Sequence, residues 1–179
     1  MRTASEPRRN RVYATIKKYL PDLIYGANDG VITTLAIVSG VVGAALSTMV
    51  ILILGFANLL ADGLSMGASN VLSRRSDASV PELPTLSTAA RHGVATFVGF
   101  VAAGIIPLSA YLVPWFGDHR FAAAAGLGLL TLFVIGAGRA LFTLRRWFTT
   151  GMEMLSIALA AAAAYGIGAP GAKLVGLNW

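Results

Sequence analysis

The sequence predicts an all-α membrane protein with five transmembrane helices per subunit, and three observations carry that expectation. The composition is 56% hydrophobic and only 12% charged over 179 residues, with a mean hydropathy of +0.71, whereas an ordinary soluble domain carries about 25% charged residues. The apolar runs are long and do not alternate, which suits helices and not the strands of a barrel. Each helix crossing takes about 20 residues, so the length admits about four to six crossings and no large extramembrane domain. The formal net charge of +6 reads as a topology signal beside apolar runs, not as a nucleic-acid interface. Cysteine is absent, which excludes disulfides, thiolate metal sites and cysteine catalysis.

The elements follow in order. Residues 1–20 are polar and charged, without the apolar core of a cleavable signal, and form an expected cytoplasmic tail. Within it Val12, Ile16, Tyr19 and Leu20 recur at helical spacing, as in a helix lying on a membrane surface. The five-helix domain is expected over 21–170, followed by a short tail over 171–179. The 32 residues between Asp29 and Asp62 carry no charge; as one helix they would reach about 48 Å, too far for one upright crossing. The run therefore folds back at Gly43, Ala44, Ala45, Leu46 and Ser47, giving helices over about 22–44 and 48–72. Further spans are expected at 93–115, 121–142 and 152–170, with hydrophilic connectors at 73–91, Gly117 to Arg120 and Arg145 to Thr150. With this division twelve of the fourteen Lys and Arg residues fall on the N-terminal side, leaving Arg120 and Lys173 opposite, so the N-terminus is expected in the cytoplasm.

Function is sought where ionisable groups enter the hydrocarbon, because they are costly there unless paired, protonated or hydrated. Asp29 and Asp62 lie about 10 and 15 Å from the cytoplasmic ends of the first and second helices. Asp22, after Pro21, reads as an acidic first-turn residue, and Glu153 in the fifth helix reads the same way. On the second helix Asn58, Asp62, Ser65, Met66, Ser69 and Ser73 recur at spacings of three, four and seven, forming one polar stripe. Asp29 is seven residues from position 22 and Met66 six from position 72, so antiparallel neighbours would place them opposite each other. Carboxylate plus thioether favours a soft first-row ion over Mg²⁺ or Ca²⁺. The metal-site candidates are thus Asp29, Met66, Asp62, Asn58 and Ser65. One chain supplies too few ligands, and a two-fold homodimer would double the set. His92 and His119 read as interfacial residues at helix ends. The third to fifth helices, with Gly99, Ala103, Pro107, Gly126, Gly136 and Gly138, read as scaffold for close helix contact.

The segments YGANDGVITTLAIVSGVVGA (25–44), ANLLADGLSMGASN (57–70) and MLSIALAAAAAYGIGA (154–169) resemble the vacuolar iron transporter family across about residues 20–170. The resemblance implies a homodimer of five-helix subunits that moves Fe²⁺ or Mn²⁺ out of the cytosol in exchange for protons. It also implies that Asp29 is the conduction aspartate and Met66 the pore methionine. Asn58 stands where many iron-transporting members have Glu, with Asp62 one turn later, and Asn70 stands at another frequently acidic position. The short 73–91 segment leaves no room for the Glu-rich cytoplasmic domain of eukaryotic members.

The expected function is therefore export of a divalent transition metal by proton antiport, with no enzyme activity and no cofactor beyond the transported Fe²⁺ or Mn²⁺. The expected partners are protons, the lipid bilayer and a second subunit, and the expected location is a bacterial inner membrane. Two rivals are an intramembrane aspartyl protease, which needs two carboxylates sharing a proton, and a membrane scaffold that transports nothing. Against the protease, the Gly-x-Gly-Asp context is missing at Asp29 and Asp62.

Overall fold

The structure, a computed structural model, describes residues 8–77, 79, 81–143, 148–149, 151–152, 163–164 and 166–168, with side chains described from residue 17 to 139 and at the short stretches beyond 147. Among the described residues the long helices are α1 (Arg8–Gly43), α2 (Thr48–Arg75), α3 (Leu86–Leu112) and α4 (Arg120–Thr143), and a 3₁₀ turn at Pro114–His119 joins the last two. No strand occurs among the described residues. Among the described residues four segments are long and apolar enough to cross a bilayer: Lys17–Gly43, Thr48–Arg75, Leu86–Leu112 and Pro114–Arg139. Most of the expected fifth span, with Glu153, lies outside the described residues. The described positions there are helical, and a Cβ on Gly168 would overlap the Gly40 carbonyl oxygen of α1.

The reversal between α1 and α2 falls where the small-residue run predicts it. Leu46 N–H donates to the Val41 carbonyl at 3.0 Å and Ala45 N–H to the Val42 carbonyl at 3.0 Å, the paired bonds of a Schellman ending. Ala45 takes the left-handed position at φ 54°, where glycine is the usual occupant. Ser47, extended at φ −71° and ψ 156°, then opens α2.

The starts of two helices differ from the sequence reading. No break separates the expected surface helix from the first span, because α1 continues through Pro21. Proline removes one helical hydrogen bond, but helices at a membrane tolerate that loss where neighbours re-satisfy the backbone. α3 starts at Leu86, not near 93, because the Thr85 hydroxyl caps it by accepting from Thr88 N–H at 3.3 Å. The connector between α2 and α3 shrinks accordingly to 76–85.

α3 is the central element, packed against α1, α2 and α4. Between helices in lipid there is little hydrophobic driving force, so close packing of small residues does the work. A Cβ on Gly26 or Gly30 of α1 would overlap the carbonyl oxygens of Thr96 and Phe100, and one on Gly99 of α3 would overlap that of Leu23. Gly67 of α2 meets Gly93 of α3 in the same way, and Gly63 sits against Phe97. Two glycine pairs four residues apart, one on each helix, therefore hold α1 and α2 against α3. Gly126 and Gly138, expected at close contacts, have nothing within 4 Å of an added Cβ among the described residues. Phe100, Leu59, Leu108 and Val38 fill one core cluster, and Val31, Leu35 and Leu132 a second. Trp115 is 92% exposed between α3 and α4, where an indole suits a membrane interface.

Candidate functional site

Held on α3, α1 and α2 run antiparallel and share a polar seam. Near its middle the Asn58 amide donates to the Thr33 hydroxyl at 3.4 Å, and that hydroxyl donates to the Asp29 backbone carbonyl at 2.9 Å. At the basic end the Asn70 amide donates to the Asp22 carboxylate at 2.8 Å. These two contacts set the register. Asp29 stands level with Asp62 across the seam. Tyr25 stands level with Met66, and both line a cleft of about 550 Å³ with Ser65, Ser69, Asn70 and Arg74.

The expected facing pair of Asp29 and Met66 is thus displaced by about one turn, roughly 6 Å. The cause is the cytoplasmic end of α2: the helix runs to Arg75, and its contacts bring Asn70, not position 72, level with Asp22. The candidate residues occupy two layers. Asp29, Asn58 and Asp62 form the deeper one with Thr33; Met66 and Ser65 form the other with Tyr25 and Ser69. Asp62 and Ser65 are exposed, whereas Asp29, Asn58 and Met66 are partly buried. Met66 also packs against the larger core cluster. Neither Asp29 nor Asp62 has a cationic partner among the described residues. Those residues hold no group of three or more His, Cys, Asp or Glu side chains arranged for a metal ion, so within one chain the donors at the seam are two carboxylates, amide and hydroxyl oxygens and one thioether.

A third layer was not foreseen. Asp22, 4% exposed, is the fifteenth residue of α1 and not a first-turn residue. Arg74 Nη2 donates to its Oδ1 at 2.8 Å, and His92 Nδ1 lies 2.6 Å from its Oδ2. The Asn70 amide donates to Thr96 Oγ1 at 2.8 Å and accepts from Arg74 Nε at 2.8 Å. Tyr19 covers the His92 ring with centroids 4.7 Å apart. His92, expected at an exposed interface, is buried because α3 has begun two turns earlier. Asp22 thereby ties three helices together, and both of its carboxylate oxygens have partners, Arg74 and Asn70 at Oδ1 and His92 at Oδ2, the condition under which a buried carboxylate is tolerated. The one local hint is the Asn70–Arg74 spacing of four, which puts an amide and a cation on one helix face; their partner is 48 residues away or more.

The fold and seam define a class: a multi-pass helical membrane protein whose paired first and second helices carry carboxylates and a thioether within the span. Comparison with known proteins agrees. The VIT family profile matches residues 20–84 and 80–169, and the chain belongs to the VIT family. A vacuolar iron transporter of Toxoplasma gondii is 44% identical over 59 residues, 33% of this chain and 20% of the relative. Vacuolar iron transporters of Plasmodium berghei and Plasmodium falciparum are each 46% identical over 57 residues, 32% of this chain and 21% of the relative. The chain therefore matches only about a fifth of the length of these relatives.

Proposed function

We propose that this protein exports a divalent transition-metal ion, Fe²⁺ or Mn²⁺, from the cytosol across a bacterial inner membrane in exchange for protons. The functional unit is a two-fold homodimer with a five-helix subunit, the N-terminus facing the cytosol and the α1–α2 seams facing each other. One observation carries this reading: two carboxylates stand at one level within the span, Asp62 exposed and Asp29 partly buried, neither matched by a cation among the described residues. A carboxylate directed into hydrocarbon is strongly disfavoured. A two-fold axis beside α2 gives Asp62 an aqueous or protein surface and doubles the donor set.

The chemistry follows from the layers. An ion entering from the cytosolic side meets Met66, Ser65 and Tyr25 first, where the thioether favours a soft first-row ion over Mg²⁺. One turn deeper Asp29 and Asp62 supply charge, and Asn58 supplies a neutral oxygen in place of hydration water. Metal binding requires ionised carboxylates, so protons arriving from the far side compete for the same oxygens and release the ion outward. The twelve basic residues on the N-terminal side support the cytosolic orientation, and the names of the relatives support iron.

The aspartyl-protease reading gains from the register, which brings Asp29 and Asp62 level. It remains second because the relatives are named transporters and the Gly-x-Gly-Asp context is missing. Uptake of Fe²⁺, Mn²⁺ and Mg²⁺ into proteoliposomes, with and without a pH gradient, tests the choice. The native chain is expected to move the first two with proton counterflow, and Met66→Ala to lose discrimination against Mg²⁺. Cleavage of a membrane peptide without any metal flux would favour the protease instead.

A further inference from the structure

On the side of α1 and α3 turned away from the polar seam, a second groove opens at the basic end. It has a volume of about 660 Å³, and its rim carries Lys18 and Arg91 while Leu23, Val94 and Val98 line its wall. Both cations are exposed, and neither has an acidic partner among the described residues. Asp22, the carboxylate that α1 buries against α3, is committed to Arg74 and His92. Lys18 only spans the ring of its neighbour Tyr19, with Nζ 5.5 Å from the centroid. Both cations lie close to the ends of membrane spans that begin at Lys17 and Leu86, at the depth of lipid headgroups. Leu23 is also shared with an adjoining groove of about 590 Å³ between α1, α3 and α4, lined almost wholly by apolar residues such as Ile24, Ala102, Ile106 and Val134.

We infer that Lys18 and Arg91 form a binding site for one anionic phospholipid, with its phosphate between the two cations and its acyl chains in the two grooves that meet at Leu23. Three features point to a lipid and not to a free anion. The cations line a groove whose other walls are mainly apolar, a second and almost wholly apolar groove shares Leu23 with it, and Val94 and Val98, which line the first groove, are 59% and 47% exposed. Basic pockets between membrane helices recognise anionic headgroups by this combination of charge and apolar wall. The site is separate from the metal seam, because α3 residues 94 and 98 lie away from Gly93 and Phe97, which face α2. Occupancy would fix the α1–α3 pair beside the Asp22 layer from its lipid side.

The test is titration of the full chain in nonionic detergent with phosphatidylglycerol or phosphatidylcholine, counting retained lipid by native mass spectrometry. One phosphatidylglycerol is expected to be retained in preference to phosphatidylcholine. Each cation removed in Lys18→Gln or Arg91→Gln should weaken retention by about fivefold. Val98→Trp, which narrows the channel without changing charge, should weaken it as well, and Arg75→Gln, an exposed cation outside the groove, should leave it unchanged. Inorganic phosphate at millimolar concentration is expected not to compete. Equal retention of both lipids, an equal loss in Arg75→Gln, an unaffected Val98→Trp, or displacement by phosphate alone would overturn the assignment.

Discussion

The two ends of the α1–α2 seam treat a carboxylate in opposite ways. At the basic end Asp22 is buried and saturated, held by Arg74, His92 and Asn70 from two other helices. About two turns deeper Asp29 and Asp62 stand level with each other, with no cationic partner among the described residues. A charge that folding has fully matched serves to hold helices together, and removing it should damage the fold. A charge left unmatched inside a membrane serves something that comes and goes, and removing it should damage activity while sparing the fold. Burial alone would have selected Asp22 as the functional residue; the pattern of partners selects the other two.

That contrast can be broken by mutation. Asp22→Ala leaves Arg74 without its counter-charge and His92 and Asn70 without their hydrogen-bond partner, and is expected to cost about 3 kcal/mol of stability, measured by denaturant unfolding in mixed micelles. A near-native value would mean that the matched end is not structural. Gly30→Ala pushes a methyl group into the Phe100 carbonyl where α1 crosses α3, with an expected loss of about 2 kcal/mol. Gly126→Ala, whose added Cβ meets nothing within 4 Å among the described residues, should lose nothing, and equal losses at both would mean that the α1–α3 crossing is not held by close packing. The smallest effect sharpens the turn that sets the seam's register: Ala45→Gly relieves the left-handed strain at φ 54° and should stabilise by about 1 kcal/mol. Destabilisation there would mean that the α1–α2 reversal is built differently.

Much of the helical framework is legible in the amino-acid pattern. The fold-back at Gly43 to Ser47 follows from a run too long for one crossing, and the fourth span expected over 121–142 is observed as Arg120–Thr143. Other boundaries slip for one reason. Hydropathy marks where apolar residues stop, whereas a helix stops where its hydrogen bonds stop, so α1 passes Pro21 and α3 extends back to its Thr85 cap. The same slip hid the Asp22 layer. With α1 started at residue 22, Asp22 looks like a terminal residue, and with α3 started at 93, His92 looks exposed. As candidates, Asp29, Asp62 and Met66 stand out in the sequence because charge or sulfur within an apolar run is a local signal. Their register does not, because it depends on Asn70 and Arg74 meeting Asp22 across three helices.

The central claim is that the unmatched pair carries the ion and the matched residue carries the fold. Fe²⁺ and Mn²⁺ flux into proteoliposomes should therefore be measured for Asp29→Asn and Asp62→Asn beside the unfolding midpoint of each variant. Loss of a coordinating carboxylate should reduce flux by more than about 100-fold, beyond the 10–100-fold typical of groups one shell further from a metal, with the midpoint at or above that of the native chain. Retained flux in both variants, or flux lost only in step with the fold, would contradict the division of labour along the seam.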